Sequence, residues 1–216
     1  MSPVPASALA VQYPVNLVLQ GRSCLVVGGG KVALRKIEGL LACGARVHVI
    51  APEIDSEIKA LPRITADERP YRQGDVEGHR LVIAATDDSA VNEAVFLDAD
   101  EAGVWVNGAD DPAHCSFTLP SVVRRGSLLL TVSTGGRSPA LATWLRGRLE
   151  AEIGPEYEVL LDLLSGEREK LKAQGRSTEG LDWHKALDSD MLALIRTGHL
   201  NSARERLQTC LSSSSA

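Results

Sequence analysis

The residues of this chain best placed to do chemistry are small ones. Gly28, Gly29 and Gly30 follow the apolar run Cys24-Leu25-Val26-Val27 and lead into Lys31-Val32-Ala33. Gly28, Gly30 and Ala33 fit the G-x-G-x-x-G/A spacing found between the first strand and first helix of dinucleotide-binding folds. Gly28 permits a turn that a Cβ would obstruct, and Gly30 lets backbone approach a pyrophosphate closely. Ala33 is small enough for the helix to pack against the strand. The free N–H groups and positive end of that helix then face the phosphates. A glycine turn alone also ends many strands for structural reasons. Here Leu25, Val26 and Val27 precede it as a buried strand, and Val32, Ile37, Leu40 and Leu41 give the next segment an apolar helical face. On that context Gly28, Gly29, Gly30, Lys31 and Val32 are expected to bind the cofactor.

Two further groups belong at the same end of a doubly wound sheet, where ligands lie beyond the carboxyl ends of the strands. Thr86, in Ala85-Thr86-Asp87, and Asn107 carry side chains that hydrogen-bond a ribose or nicotinamide; helix capping by Thr86 and turn formation by Asn107 fit equally well. Asp110-Asp111-Pro112 offers either a carboxylate acting as general base or a simple turn. Arg124, Arg125, Arg137 and Arg146 supply forked donors suited to carboxylates, although a solvated charge is the alternative for each. At the end of the second predicted strand, Ala51-Pro52 stand where an acidic residue often binds the ribose; Glu53 substitutes if the turn brings it round.

The elements that must hold these residues alternate. Predicted strands cover 25–27, 46–50, 80–85 and 104–107, with helices after Gly30, over 53–61 and over 90–102; the polar stretch 64–71 carries no clear pattern. Such alternation implies a parallel sheet with helices on both faces. After Pro112 the pattern changes. Residues 116–119 and 127–133 read as strands separated by Pro120 and a basic turn at Arg124-Arg125-Gly126. Ser138 and Pro139 are placed as N-cap and first residue of a helix over 140–152, with Leu141, Leu145 and Leu149 on one stripe. Beyond Gly154 only helices are predicted, over 156–174, 183–187, 188–197 and 201–211. The expected organisation is a Rossmann-type α/β domain (1–112), a small β-containing dimerisation segment (113–150) and an all-helical C-terminal domain (151–216). Two strands are too few to be stable alone, so pairing with a second copy, a homodimer, is expected.

Composition narrows the function classes. A length of 216 residues, 44% hydrophobic and 24% charged, suits an ordinary globular protein with a real core. The net charge of −5 and the lack of a basic run argue against nucleic-acid binding. No apolar run reaches the length of a membrane span, and residues 1–10 have neither an early basic residue nor a clear apolar centre, so no signal peptide is read. Cys24, Cys43, Cys115 and Cys210 form no C-x-x-C pair, which disfavours a disulfide framework or zinc site and fits the cytoplasm. His184 and His199 show no metal-ligand spacing.

Taken together, Leu25-Val26-Val27-Gly28-Gly29-Gly30-Lys31-Val32-Ala33-Leu34-Arg35-Lys36, Ala84-Ala85-Thr86-Asp87-Asp88, Asn107-Gly108-Ala109-Asp110-Asp111-Pro112 and Thr134-Gly135-Gly136-Arg137-Ser138-Pro139-Ala140-Leu141-Ala142 resemble the precorrin-2 dehydrogenase family of sirohaem biosynthesis. The resemblance spans about residues 13 to 150. It implies NAD-dependent oxidation of precorrin-2 to sirohydrochlorin in a homodimer with interlocked central segments. It implies Asp110 as the key catalytic carboxylate, and Thr134 in the place of a serine that borders the active-site region in several members. Arg124, Arg137 and Arg146, with Thr134, are then expected to meet the carboxylates of the tetrapyrrole. A stand-alone enzyme is expected, since no methyltransferase module follows. Two alternatives stay open: a bifunctional enzyme that also inserts ferrous or cobalt ion, with Asp110 and His114 as candidate groups, and a non-catalytic NAD-sensing module.

Overall fold

The structure is a computed structural model that describes residues 11–109 and 111–212. The chain divides into two compact units, residues 1–119 and 120–216.

The first unit is built on a five-stranded sheet in the order β3-β2-β1-β4-β5, with every neighbouring pair parallel. Its strands are β1 (Ser23–Val27), β2 (Arg46–Ala51), β3 (Ile64–Glu68), β4 (Leu81–Ala84) and β5 (Trp105–Gly108). The helices are α1 (Lys31–Ala42), the short α2 (Ser56–Lys59) and α3 (Ser89–Glu101). Successive residues of β1 serve opposite faces. Cys24 and Val26 join Ala33, Ile37, Leu40 and Leu41 of α1 in one core. Leu25 and Val27 join Val95 and Ala99 of α3 in the other. Burial on both faces explains why β1 and β4 read as continuous apolar runs. Ile37 is fully buried, and truncating it to Ala would cost about 2–5 kcal/mol. Cys24 is buried as expected, and that burial, with Cys43 adding to it, pushes its thiol up to about 11.

Three details differ from the sequence expectations. Residues 64–68 form a strand, β3, at the edge of the sheet, where four of its five residues are exposed and no apolar alternation is needed. The helix expected over 53–61 shrinks to four residues, begun by Asp55, whose carboxylate accepts from the Glu57 amide. Residues 116–119 are not a strand. Cys115 bridges Asn107, and the Ser116 amide bonds the Val106 carbonyl at 2.8 Å, so this segment folds back along β5. The expected boundary at 112 therefore falls inside the first unit.

The segment between β3 and β4 is pinned to α3 by Asp98, which accepts hydrogen bonds from the Tyr71 hydroxyl and from the Gly74 amide at 2.7 Å. Burial, reinforced by Asp98, pushes the Tyr71 phenol well above its usual range.

In the second unit an antiparallel hairpin, β6 (Ser121–Arg125) and β7 (Leu128–Val132), precedes α4 (Pro139–Glu152). Gly126 and Ser127 make the turn, so Arg124 and Arg125 end a strand rather than form the loop expected of them. Ser138 caps α4, its hydroxyl accepting from the Leu141 amide at 3.2 Å, with Pro139 in the first turn. Four helices follow: α5 (Glu156–Ala173), α6 (Trp183–Leu187), α7 (Met191–Arg196) and α8 (Leu200–Ser212). They share a core around Leu160, Leu171, Met191 and Leu207. The hairpin packs on α4, and β7 also meets α5, so the expected division at 150/151 is not a gap between bodies. No helix among the described residues is long and apolar enough to cross a membrane.

Candidate active site

The glycine turn is fixed from two sides. Gly28 has φ +132°, and a Cβ there would overlap the carbonyl of Ala85 at the end of β4. A Cβ on Gly29 would overlap the Glu53 carbonyl in the loop after β2, and the Asp55 amide donates to the Gly29 carbonyl at 2.9 Å. Gly30 is different. It is exposed, N-caps α1 without a side-chain cap, and an added Cβ would meet nothing within 4 Å. The first helical bond runs from the Leu34 amide to the Gly30 carbonyl at 3.0 Å, leaving the amides of Lys31, Val32 and Ala33 ahead of it. Ala33 is fully buried against the sheet. The turn thus combines open space, free donors and the positive end of a twelve-residue helix, which suits a pyrophosphate.

Beside it, Thr86 follows β4. Its hydroxyl accepts from the Asp88 amide at 3.2 Å and lies 2.9 Å from both the Asp88 carbonyl and Asn92 Oδ1. Asp88, not Thr86, caps α3, accepting from the amides of Ala90 and Val91. Asn107 on β5 is only 6% exposed, and its amide nitrogen donates to the Phe117 carbonyl at 3.0 Å and to Cys115 Sγ at 3.4 Å. That amide therefore anchors the returning segment. Asp110 lies outside the described residues. Asp111 starts a short 3-10 turn, Pro112–His114, accepting from the Ala113 amide at 3.2 Å and pairing with His114 Nδ1 at 2.6 Å. This hydrogen bond to His114 holds the Asp111 carboxyl below the usual carboxylate range. His114, in sequence a candidate only for the metal-inserting alternative, is marked by the D-P-x-H spacing around the turn-starting Pro112.

The expected substrate residues of the second unit separate by role. Arg125 is structural: its guanidinium donates to the carbonyls of Ile153 at 2.8 Å and Glu150 at 3.0 Å, at the C-terminus of α4. Arg146 pairs with Glu150 at 2.6 Å along the same helix. Arg124 and Arg137 are exposed, and neither side chain has a hydrogen-bond partner among the described residues. Thr134 closes the turn before α4, its hydroxyl accepting from the Ser138 amide at 3.1 Å and donating to the Ser138 carbonyl at 3.2 Å. Among the described residues no three His, Cys, Asp or Glu side chains gather so as to hold a metal ion.

The parallel sheet, the glycine cradle and the helix end behind it define a Rossmann-type, NAD(P)-binding protein. Comparison with known proteins agrees. Residues 15–121 match the NAD(P)-binding family NAD_binding_7, and residues 125–152 match "Sirohaem biosynthesis protein central". Siroheme synthase of Nitrosococcus oceani is 39% identical over 207 residues, covering 93% of this chain and 44% of the relative. Siroheme synthase of Thioalkalivibrio sulfidiphilus is 41% identical over 204 residues, covering 92% of this chain and 42% of the relative. The chain thus spans less than half the length of these relatives. A solved structure described as SirC, precorrin-2 dehydrogenase, superimposes with a TM-score of 0.73 at 31% identity, covering 92% of this chain and 98% of that one. The chain belongs to the precorrin-2 dehydrogenase family of sirohaem biosynthesis, as its motifs suggested.

Proposed function

We propose that this protein oxidises precorrin-2 to sirohydrochlorin with NAD as the oxidant. The observation that carries the reading is the open cradle at Gly30 in front of α1, set in a chain of which 92% aligns with a solved precorrin-2 dehydrogenase. Bound NAD would supply the acceptor for one hydrogen and its electron pair. The chain's own residues do the rest. The Gly28–Gly30 turn and the amides of Lys31 and Val32 bind the pyrophosphate, with Thr86 and Asn107 closing the cofactor side of the site. Glu53 is exposed, and its backbone lies against Gly29. Its carboxylate favours NAD over NADP by repelling a 2′-phosphate. Asp110, which follows β5 in the sequence, takes the released proton or orients the macrocycle through its pyrrole N–H groups. Arg124 and Arg137, without internal partners, serve the substrate carboxylates better than Arg146, which Glu150 already engages; Thr134 shapes the turn that presents Arg137.

A homodimer in the cytoplasm completes the proposal. The hairpin has only two strands, and α4 leaves Leu141 47% and Trp144 57% exposed. Unpaired edges and an uncovered apolar face are what a second copy of the same segment would cover.

The test is an absorbance assay of precorrin-2 turnover with and without NAD. Turnover that requires NAD supports the reading. Asp110→Ala should reduce the rate by about 10²-fold or more while leaving NAD affinity nearly unchanged. A wild-type rate in that variant would remove Asp110 from the mechanism.

A further inference from the structure

The Asp111–His114 pair sits on the turn that immediately follows β5, at the carboxyl end of the sheet, where ligands of such folds lie. The ring is held on several sides. Asp111 Oδ2 lies 2.6 Å from Nδ1, and Phe96 of α3 meets the ring edge-on at a centroid distance of 5.1 Å. The turn itself is locked to the strand. The Cys115 thiol bonds the carbonyls of Asp111 at 3.2 Å and Gly108 at 3.4 Å. A Cβ on Gly108 would stand 3.0 Å from the His114 carbonyl oxygen and 3.4 Å from Asp111 Cβ, so the turn packs tightly on the strand end.

This arrangement fixes the tautomer. An ionised carboxylate only accepts, so Nδ1 carries the proton, and the lone pair of neutral His114 resides on Nε2. Nε2 has no hydrogen-bond partner among the described residues, and the side chain is 31% exposed. The neighbouring groups do not compete for it. Burial pushes the Cys115 thiol up, so it stays neutral.

We propose that His114 is the proton-relay residue of this site, its Nε2 carrying the proton released on dehydrogenation from the cleft to water. The inference rests on the precorrin-2 reading. In that oxidation the macrocycle gives up one hydrogen with its electron pair to NAD and a second as a proton. The macrocycle's bond to that second hydrogen breaks as the Nε2 lone pair forms the new N–H bond, Asp110 then acting by orienting the macrocycle; Asp111 meets the imidazolium charge, and water removes the proton from Nε2. Asp111 is the positioning residue.

His114→Ala and His114→Gln test it, with NADH fluorescence to show that the nucleotide unit is folded. His114→Ala should lose about 10²-fold in kcat with little change in cofactor affinity. Added imidazole should restore at least part of that loss. His114→Gln, which keeps a donor to Asp111 but cannot relay a proton, should be about as slow as His114→Ala. A slow His114→Ala enzyme that imidazole does not rescue, or a His114→Gln enzyme with the wild-type rate, overturns the relay and leaves the dehydrogenase reading standing. Absence of NAD-dependent turnover in the wild type overturns both.

Discussion

Gly30→Asp separates cofactor binding from folding at one position. The wild-type residue has φ −98°, a value open to any side chain, and a Cβ there meets nothing within 4 Å. The substitution should therefore leave the melting temperature within about 2 °C, as surface changes usually do. Its carboxylate, however, enters the space in front of the free amides of α1. Two like charges about 5 Å apart at an effective dielectric constant of about 20 repel by about 3 kcal/mol. That corresponds to an NAD affinity lower by about 10²-fold, before steric displacement is added. Gly28→Ala should do the reverse kind of damage. It forces a Cβ into a left-handed conformation and against the Ala85 carbonyl, at a cost of about 2–5 kcal/mol in strain and displacement. This lowers the melting temperature by about 5 °C or more. Titration of NADH fluorescence alongside thermal unfolding reads both effects. A folded Gly30→Asp protein whose NAD affinity falls less than about threefold would refute the placement of the pyrophosphate at this turn.

Other outcomes follow from the same reasoning. Arg125→Ala removes the two carbonyl contacts at the end of α4 and should destabilise the second unit by about 2 kcal/mol in urea unfolding, whereas Arg124→Ala should leave stability unchanged and raise the KM for precorrin-2. Trp144→Asp should convert the proposed dimer to monomer in a sedimentation experiment at micromolar concentration; a variant that sediments as the wild type does would place the interface elsewhere or remove it. His79 is held below its ordinary pKa by burial and by His48, against a smaller opposing effect of Asp75, while Ser23 bonds its Nδ1 at 3.1 Å. The unfolded chain thus takes up this proton first as pH falls. Stability should decline from the unfolded value near 6.5 downward, and His79→Gln should flatten that decline in urea unfolding at pH 7.0 and 5.5.

The first unit was legible where one segment had to be buried on both sides. The run Cys24 to Val27 has no polar residue, and the stripe Ala33, Ile37, Leu40 and Leu41 has helical spacing. Edge strand β3 was not, because its Thr65, Ala66, Asp67 and Glu68 face solvent and leave no periodic signature. Residues 116–119 misled for another reason. Their alternation resembles a strand, but the Asn107 amide and the Ser116 backbone use them to close a loop on β5. In the site, spacing pointed to the glycines: Gly28 and Gly29 answer a backbone constraint, whereas Gly30 leaves open space before α1. The sorting of Arg124 from Arg125 depends on which arginine reaches the carbonyls of α4, a tertiary contact that spans 25 to 28 residues and has no local trace.

The bracing of Gly28 by β4 and of Gly29 by the loop after β2 has a thermodynamic consequence. The glycine turn is formed before any ligand arrives, because its shape is set by backbone that is already hydrogen-bonded, including the Gly28 amide to the Ile50 carbonyl at 2.9 Å. Binding there orders little chain, so the entropy ordinarily lost in closing a loop is already spent in folding. The heat-capacity change on nucleotide binding should then reflect only the surface buried by the ligand, with no contribution from coupled folding.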